Sequence, residues 1–249
     1  MKFSTKAIHE GQDPDPTTGA VTMPIYQTST YVQDELGKHK GYEYARTHNP
    51  TRLALENCLA SLENGKYGLA FGSGLAATNT VMNLLSQGDH VVVGDDVYGG
   101  TYRIFDKVYA RYGVKFTFID ARDPANFEKA IRPETKLLWI ETPTNPLLRL
   151  ADITSLAQIA RSKKILSVVD NTFASSYLQR PLDLGADVVL HSTTKYLGGH
   201  SDVVGGAIVT SLNDVYETLK FHQNAVGAVP GPFDSFLVML WLKTLKVRM

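Results

Sequence analysis

The stretch VDNTFASSYLQRPLDLGADVVLHSTTKYLGGHSD, residues 169–202, decides the fold. It opens on the last residue of one apolar run, ILSVV (165–169), and contains a second, VVLH (188–191). Each run stops at a polar cluster, DNTFAS after the first and STTKYLGG after the second. Short β-branched runs bounded in this way read as strands. The pattern recurs at YGLAF (67–71), HVVVG (90–94), KFTFI (115–119), KLLWI (136–140) and GAIVT (206–210). Helical spacing of apolar residues falls between most of them, over 73–86, 100–112, 125–131 and 154–162. Alternation of strand and helix across these seven runs predicts an α/β fold with a parallel sheet covered by helices on both faces.

Composition narrows the class of molecule. The chain has 249 residues, 43% hydrophobic and 20% charged, enough for one large core. Lys+Arg and Asp+Glu both number 25, so no basic excess points to nucleic acid or an anionic membrane. The start, MKFSTKAIHEGQD, has no apolar signal region, and no stretch is apolar for long enough to span a bilayer. Cys58 is the only cysteine, which excludes an intrachain disulfide. A cytoplasmic protein is expected. Residues 1–50, rich in Thr, Pro, Gly and Tyr, read as an extended arm reaching a neighbouring subunit, because a loop that long is unlikely in a compact monomer. Residues 51–235 carry the α/β pattern. Residues 236–249 read as the start of a helix that lacks a C-terminal stop signal and leads toward a further domain that this chain does not carry.

Ligands of open α/β sheets sit beyond the carboxyl ends of the strands. Five ends carry polar, Gly-rich or reactive residues: GSGLAA, DDVYGG, ETPTNP, DNTFAS and STTKYLGG. In the first, Ser73 and the backbone at Gly74 open a helix and suit a phosphate. Gly72, Gly74 and Ala77 also match the dinucleotide pattern, with Asp95 and Asp96 at the next strand end as candidate ribose ligands. A nicotinamide-dependent oxidoreductase therefore competes.

Lys195 and Asp170 favour a different cofactor. Free lysine has a pKa of about 10.4 and is rarely neutral near pH 7. A Schiff base to an aldehyde cofactor holds its nitrogen covalently and removes that penalty. Pyridoxal phosphate also needs an acid beside its ring nitrogen. Asp170, ending an apolar run, suits that role, and opposite charges in contact at an effective dielectric of 20 attract by about 4 kcal/mol. Ordinary alternatives are a turn cap for Asp170 and a solvated charge for Lys195. Tyr98 can stack on a ring, or simply fill the rim. His191, His200 and Asp202 match no metal-ligand spacing.

The segments YEYARTHNPTR (42–52), GSGLAA, DDVYGGTYR, ETPTNPLL, the opening stretch and QNAVGAVPGPFD resemble the Cys/Met-metabolism family of pyridoxal-phosphate enzymes, the trans-sulfuration enzymes, over nearly the whole chain. The resemblance implies the fold type I large domain, an α/β fold with a mainly parallel seven-stranded sheet flanked by helices, and a reaction of cystathionine γ-lyase type. Cystathionine γ-synthase, methionine γ-lyase and O-acetylhomoserine sulfhydrylase remain alternatives, as does an inactive truncated subunit. It further implies Lys195 as the Schiff-base lysine and proton shuttle, Asp170 on the ring nitrogen and Tyr98 on the ring face. Ser73, the Gly74 and Leu75 amides, Ser192 and Thr194 are the implied phosphate ligands, completed by Tyr44 and Arg46 of a neighbouring subunit. Asn145 is implied near the cofactor and the substrate carboxylate, with Arg103 at the mouth. The implied partners are an amino-acid substrate and further copies of the chain, as a dimer of dimers. One departure is Leu240-Trp241, where relatives carry Arg-Gly before LKTL.

Overall fold

Seven strands form one mixed sheet in the computed structural model, which describes residues 1–249. They are β1 (Tyr67–Phe71), β2 (His90–Gly94), β3 (Lys115–Ile119), β4 (Thr135–Glu141), β5 (Leu166–Asp170), β6 (Val188–His191) and β7 (Gly206–Thr210), ordered β1-β7-β6-β5-β4-β2-β3. The central pairings β2–β3, β2–β4, β4–β5 and β5–β6 are parallel. β7 runs antiparallel to both β6 and β1, so the sheet is mainly but not wholly parallel.

Around the sheet lie α1 (Phe3–His9), α2 (Pro50–Leu62), α3 (Gly74–Met82), α4 (Gly99–Lys107), α5 (Pro124–Ala130), α6 (Ile153–Lys163), α7 (Ser175–Leu178), α8 (Asn213–Val226), α9 (Pro232–Leu242) and α10 (Leu245–Arg248). Side chains alternate across a strand, which assigns the faces. Phe71, Val91, Val93, Leu137, Trp139, Val168 and Leu190 pack with Ala77 of α3, Phe105 of α4 and Leu219 of α8. The other face divides into two clusters. Ala70, Ala207 and Val209 meet α2 and α9, while Val92, Leu138, Ile140 and Val169 meet α5 and α6. Both faces are dry, which accounts for strands that read as unbroken apolar runs.

The helix starts follow from local chemistry. Asn49 accepts from the Thr51 and Arg52 amides, and Pro50 occupies the first turn of α2, where no amide donor is needed. Ser73 accepts from the Ala76 amide and starts α3 directly after β1. Asp123 with Pro124 starts α5, and Asp152 starts α6.

The structure differs from the sequence reading in two details. The arm begins with a helix: α1 buries Ala7 against α2, sets Phe3 against Tyr177 at 5.2 Å and gives the Lys6 ammonium to Ser61 O at 3.0 Å. Seven residues, about two helical turns, in a mostly polar segment carry too little periodicity to be seen. Residues 10–49 contain no helix or strand, only the isolated bridges Thr30–Tyr44 and Glu35–Lys38. Position 235, expected to end the α/β unit, falls inside α9, whose Val238, Met239 and Leu242 belong to the same core as α2. Leu237, Leu240 and Trp241 of α9 are half-buried. Trp241 stacks on His200 with ring centres 3.7 Å apart and donates its indole N–H to Asp202 at 2.9 Å, which is where the Arg-Gly departure leads. No helix is long and apolar enough to cross a membrane.

Candidate active site

One cavity gathers the carboxyl ends of β1, β4, β5 and β6, and Tyr98 from the start of α4 closes one side. At the β1 end, the first amides of α3, at Gly74 and Leu75, lack intrahelical partners and carry the positive end of the helix dipole. The chain cannot afford a side chain at 74, since a Cβ there would lie 2.9 Å from Ser192 Cβ and 3.2 Å from Ser192 Oγ. The helix start and Ser192 thus form a narrow cradle of donors. The Ser73 hydroxyl oxygen accepts from Ala76, which leaves its proton free to donate. Thr194 also lines the cavity, but its hydroxyl donates to Gly205 O at 3.2 Å and accepts from Gly205 N at 3.0 Å. Its proton is already committed to holding the 194–205 loop closed.

Asp170, also lining the cavity, ends β5 at 8% exposure. Its Oδ1 accepts from the Thr172 amide at 3.1 Å and from the Thr172 hydroxyl at 2.6 Å. Thr172 in turn accepts from the Ser192 amide at 2.8 Å, which ties the β5 end to the β6 end. Burial raises the Asp170 pKa, and the Thr172 bonds and the nearby His191 pull it back. A buried carboxylate whose charged form is costly is one that gains from a cationic partner. Lys195 follows β6 and lines the same cavity with its side chain exposed to it.

Glu141, the last residue of β4, was not singled out by the sequence. It pairs in register with Asp170, and its carboxylate accepts from the Tyr98 amide at 2.8 Å and the Asn145 amide at 2.9 Å. Burial, with the charge of Asp170 next, pushes its pKa up to about 8. Its place is a matter of strand register, which no local motif announces.

Tyr98 and Asn145 line the cavity as expected, and Tyr98 lies across Gly100, where an added Cβ would meet its ring at 2.4 Å. Arg103 does not: it sits exposed on α4, away from the lining residues. A helix turns about 100° per residue, so five positions after Tyr98 its direction is set by helix phase and not by proximity in sequence. Tyr44 and Arg46 lie outside the cavity too. The Arg46 guanidinium is 5.4 Å from the Tyr44 ring centre and donates to Asn224 O of α8 at 2.7 Å. His191 faces away from the cavity and bonds Glu63 Oε1 at 2.6 Å in the interior.

The dinucleotide alternative fails on topology. That motif needs its acidic residue on the strand beside the glycine loop. Here β7, β6, β5 and β4 separate β1 from β2, and neither Asp95 nor Asp96 lines the cavity. Asp96 instead accepts from the Thr144 hydroxyl, and Asp95 pairs with Arg149 at 3.5 Å.

A mixed seven-stranded sheet with lysine, buried carboxylates and a helix N-terminus around one strand-end cavity defines an α/β enzyme of the kind that holds an anionic cofactor. Residues 4–249 match the family described as Cys/Met metabolism PLP-dependent enzyme, and the chain belongs to that family. It is 62% identical over 247 residues to a probable cystathionine gamma-synthase of Herpetosiphon aurantiacus, covering 99% of this chain and 77% of that protein. It is 54% identical over 249 residues to a cystathionine beta-lyase of Coxiella burnetii, covering 99% of this chain and 64% of that protein. The crystal structure of cystathionine gamma-lyase from Lactobacillus plantarum complexed with L-serine superimposes with a TM-score of 0.98 at 52% identity, covering 100% of this chain and 65% of that one. The chain thus spans about two thirds of the length of the last two. The family is one of pyridoxal-phosphate-dependent enzymes, and its members here are named for three different reactions.

Proposed function

We propose that this chain is the cofactor-binding part of a pyridoxal-phosphate enzyme that cleaves the Cγ–S bond of cystathionine, giving cysteine, 2-oxobutanoate and ammonia with consumption of water. The observation that carries the reading is the single cavity shared by Lys195, Asp170, Tyr98 and the Gly74–Ser192 cradle. These residues fit the cofactor: donors for a phosphate, a buried carboxylate for a ring nitrogen, and an amine, all lining one cavity. When bound, the cofactor supplies an aldehyde for covalent attachment and a protonated ring that accepts electron density.

The chain's own residues do the rest. Asp170 keeps the ring nitrogen protonated through its Oδ2, since Thr172 occupies Oδ1. Ser73, Ser192 and the Gly74 and Leu75 amides hold the phosphate, while Thr194 holds the loop behind it. Tyr98 covers the ring. Lys195 would hold the cofactor's aldehyde and, when free, would stay tethered within reach of the substrate's α- and β-carbons to carry protons between them. Asn145 orients the substrate carboxylate. Tyr44 and Arg46 complete the phosphate site of a second copy, because they lie exposed outside this chain's own cavity. A bidentate guanidinium suits a phosphate dianion.

A γ-replacement reaction on an O-acylhomoserine is the second reading, favoured by the relative that is 62% identical and named a probable cystathionine gamma-synthase. Product analysis separates them. Cystathionine and an acylated homoserine with cysteine are offered in parallel to the cofactor-loaded protein. The cleavage reading expects sustained 2-oxobutanoate from cystathionine. Cystathionine formation from the acyl ester without keto-acid release overturns it in favour of replacement.

A further inference from the structure

Glu141 is the one carboxylate of the cavity to which the proposed chemistry gives no task. It sits beside Asp170 on the adjacent strand, in register and on the same face of the sheet. Its Oε2 takes the Tyr98 amide and its Oε1 the Asn145 amide, so one side chain anchors the start of α4 and the turn after β4. Those two segments carry the ring-covering tyrosine and the carboxylate-orienting asparagine. Charges of both signs face it, and the ones that raise its pKa are Asp170 and Asp96. Asp170 comes from β5 and Asp96 from the turn after β2, with Asp95 beyond it. Arg122 and Arg149 face it across a small recess on the far side, where Arg149 is engaged with Asp95 and Arg122 with Asp120. Lys195 faces the cavity from β6.

We propose that Glu141 is a positioning residue that fixes Tyr98 and Asn145 and, paired with Asp170 in the cofactor-free cavity, holds a proton that leaves when a cationic ring enters. The inference rests on the cofactor reading above. Two buried carboxylates on neighbouring strand ends cannot both ionise at low cost, so one keeps a proton. The upward shift of Glu141 agrees with that assignment. A pyridinium beside Asp170 cancels the repulsion and lets Glu141 ionise. The ring enters already carrying its proton, so the proton that Glu141 gives up passes to solvent. Both backbone donors are then directed at a full carboxylate, which tightens the two walls on the ligand.

The test is the number of protons exchanged when pyridoxal phosphate binds the cofactor-free protein, measured by titration calorimetry in buffers of different ionisation enthalpy. Glu141→Gln keeps size and one acceptor but has no proton to release. Near pH 7 it should release about one proton fewer to solution per cofactor bound than the native protein. The difference should vanish well above pH 8, where Glu141 is already ionised. Contributions from Lys195 and the phosphate are common to both proteins and cancel. Equal proton counts near pH 7 overturn the inference. Should Glu141→Gln fail to fold, infrared difference spectra of the native protein decide. Cofactor addition should bleach a protonated-carboxyl carbonyl band, and its persistence refutes the proposal. If the native protein binds no pyridoxal phosphate at all, the cofactor reading itself falls, and this inference with it.

Discussion

At the scale of single residues, the site depends on contacts that tolerate almost no added volume. Gly74 is the sharpest case. A methyl group there meets Ser192 at 2.9 Å, between the helix start and the β6 end. Gly74→Ala is expected to weaken pyridoxal phosphate binding at least tenfold while costing the fold about 1–3 kcal/mol. Cofactor titration and urea unfolding measure the two effects separately. His90 gives a second residue-scale expectation. Its ring is buried between the Thr135 and Thr117 hydroxyls at 2.8 and 2.9 Å, joining β2 to β4 and β3. Burial lowers its pKa below the ordinary value of 6.5. The unfolded chain therefore binds the proton more readily. This contribution to stability is complete above pH 6.5 and is lost as pH falls through the depressed value. Unfolding free energy should drop on acidification from pH 7 to 5, and His90→Gln should flatten that part of the profile. Lys195 and Asp170 were legible as site residues because a lone amine and a lone acid followed apolar runs. Glu141 was not, although it too ends a strand, because its meaning lies in its register with Asp170.

At the scale of elements, the arm and α2 act together. Arg52, 3% exposed, donates to the carbonyls of Ala45, Arg46 and Thr47 and lies 3.4 Å from Glu56. Glu56 also accepts from the Ala70 amide and from Gln223, which links α2 to β1 and α8. Arg52→Ala removes the anchor of residues 45–47 and strands a buried acid. A loss of about 3–5 kcal/mol is expected, read by chemical denaturation. The seven strands were visible because each is a five-to-seven-residue apolar run, or four in β6. The reversed direction of β7 was not, because alternation of side chains is the same in parallel and antiparallel strands. The helical spacing over 100–112 was seen as one element, whereas α4 stops at Lys107 and a 3₁₀ turn follows at Tyr109–Tyr112. Helical periodicity cannot separate those two windings over so few residues.

For the whole molecule, the exposed Tyr44 and Arg46 raise the question of where they act. If each completes a second copy's phosphate site, two inactive variants should complement each other. Arg46→Ala and Lys195→Ala proteins, each inactive alone, should recover about a quarter of native activity when refolded together in equal amounts, since half the dimers are mixed and each carries one intact site. No recovery would place Arg46 in its own chain's chemistry or outside it altogether. The sequence pointed to this proposal in two ways, an arm too long for a compact monomer and the family resemblance around Tyr44 and Arg46. The arm's anchoring on Arg52 and Asn224 required the folded chain.

The central claim is that Lys195 carries the cofactor, and hydride reduction tests it most directly. The protein is loaded with pyridoxal phosphate, reduced with borohydride, digested and mapped by mass spectrometry. The account predicts one phosphopyridoxyl group per chain, on the peptide containing Lys195, and loss of the yellow absorbance on reduction. A label spread over surface lysines, or a native yellow complex that survives in Lys195→Ala, would contradict it.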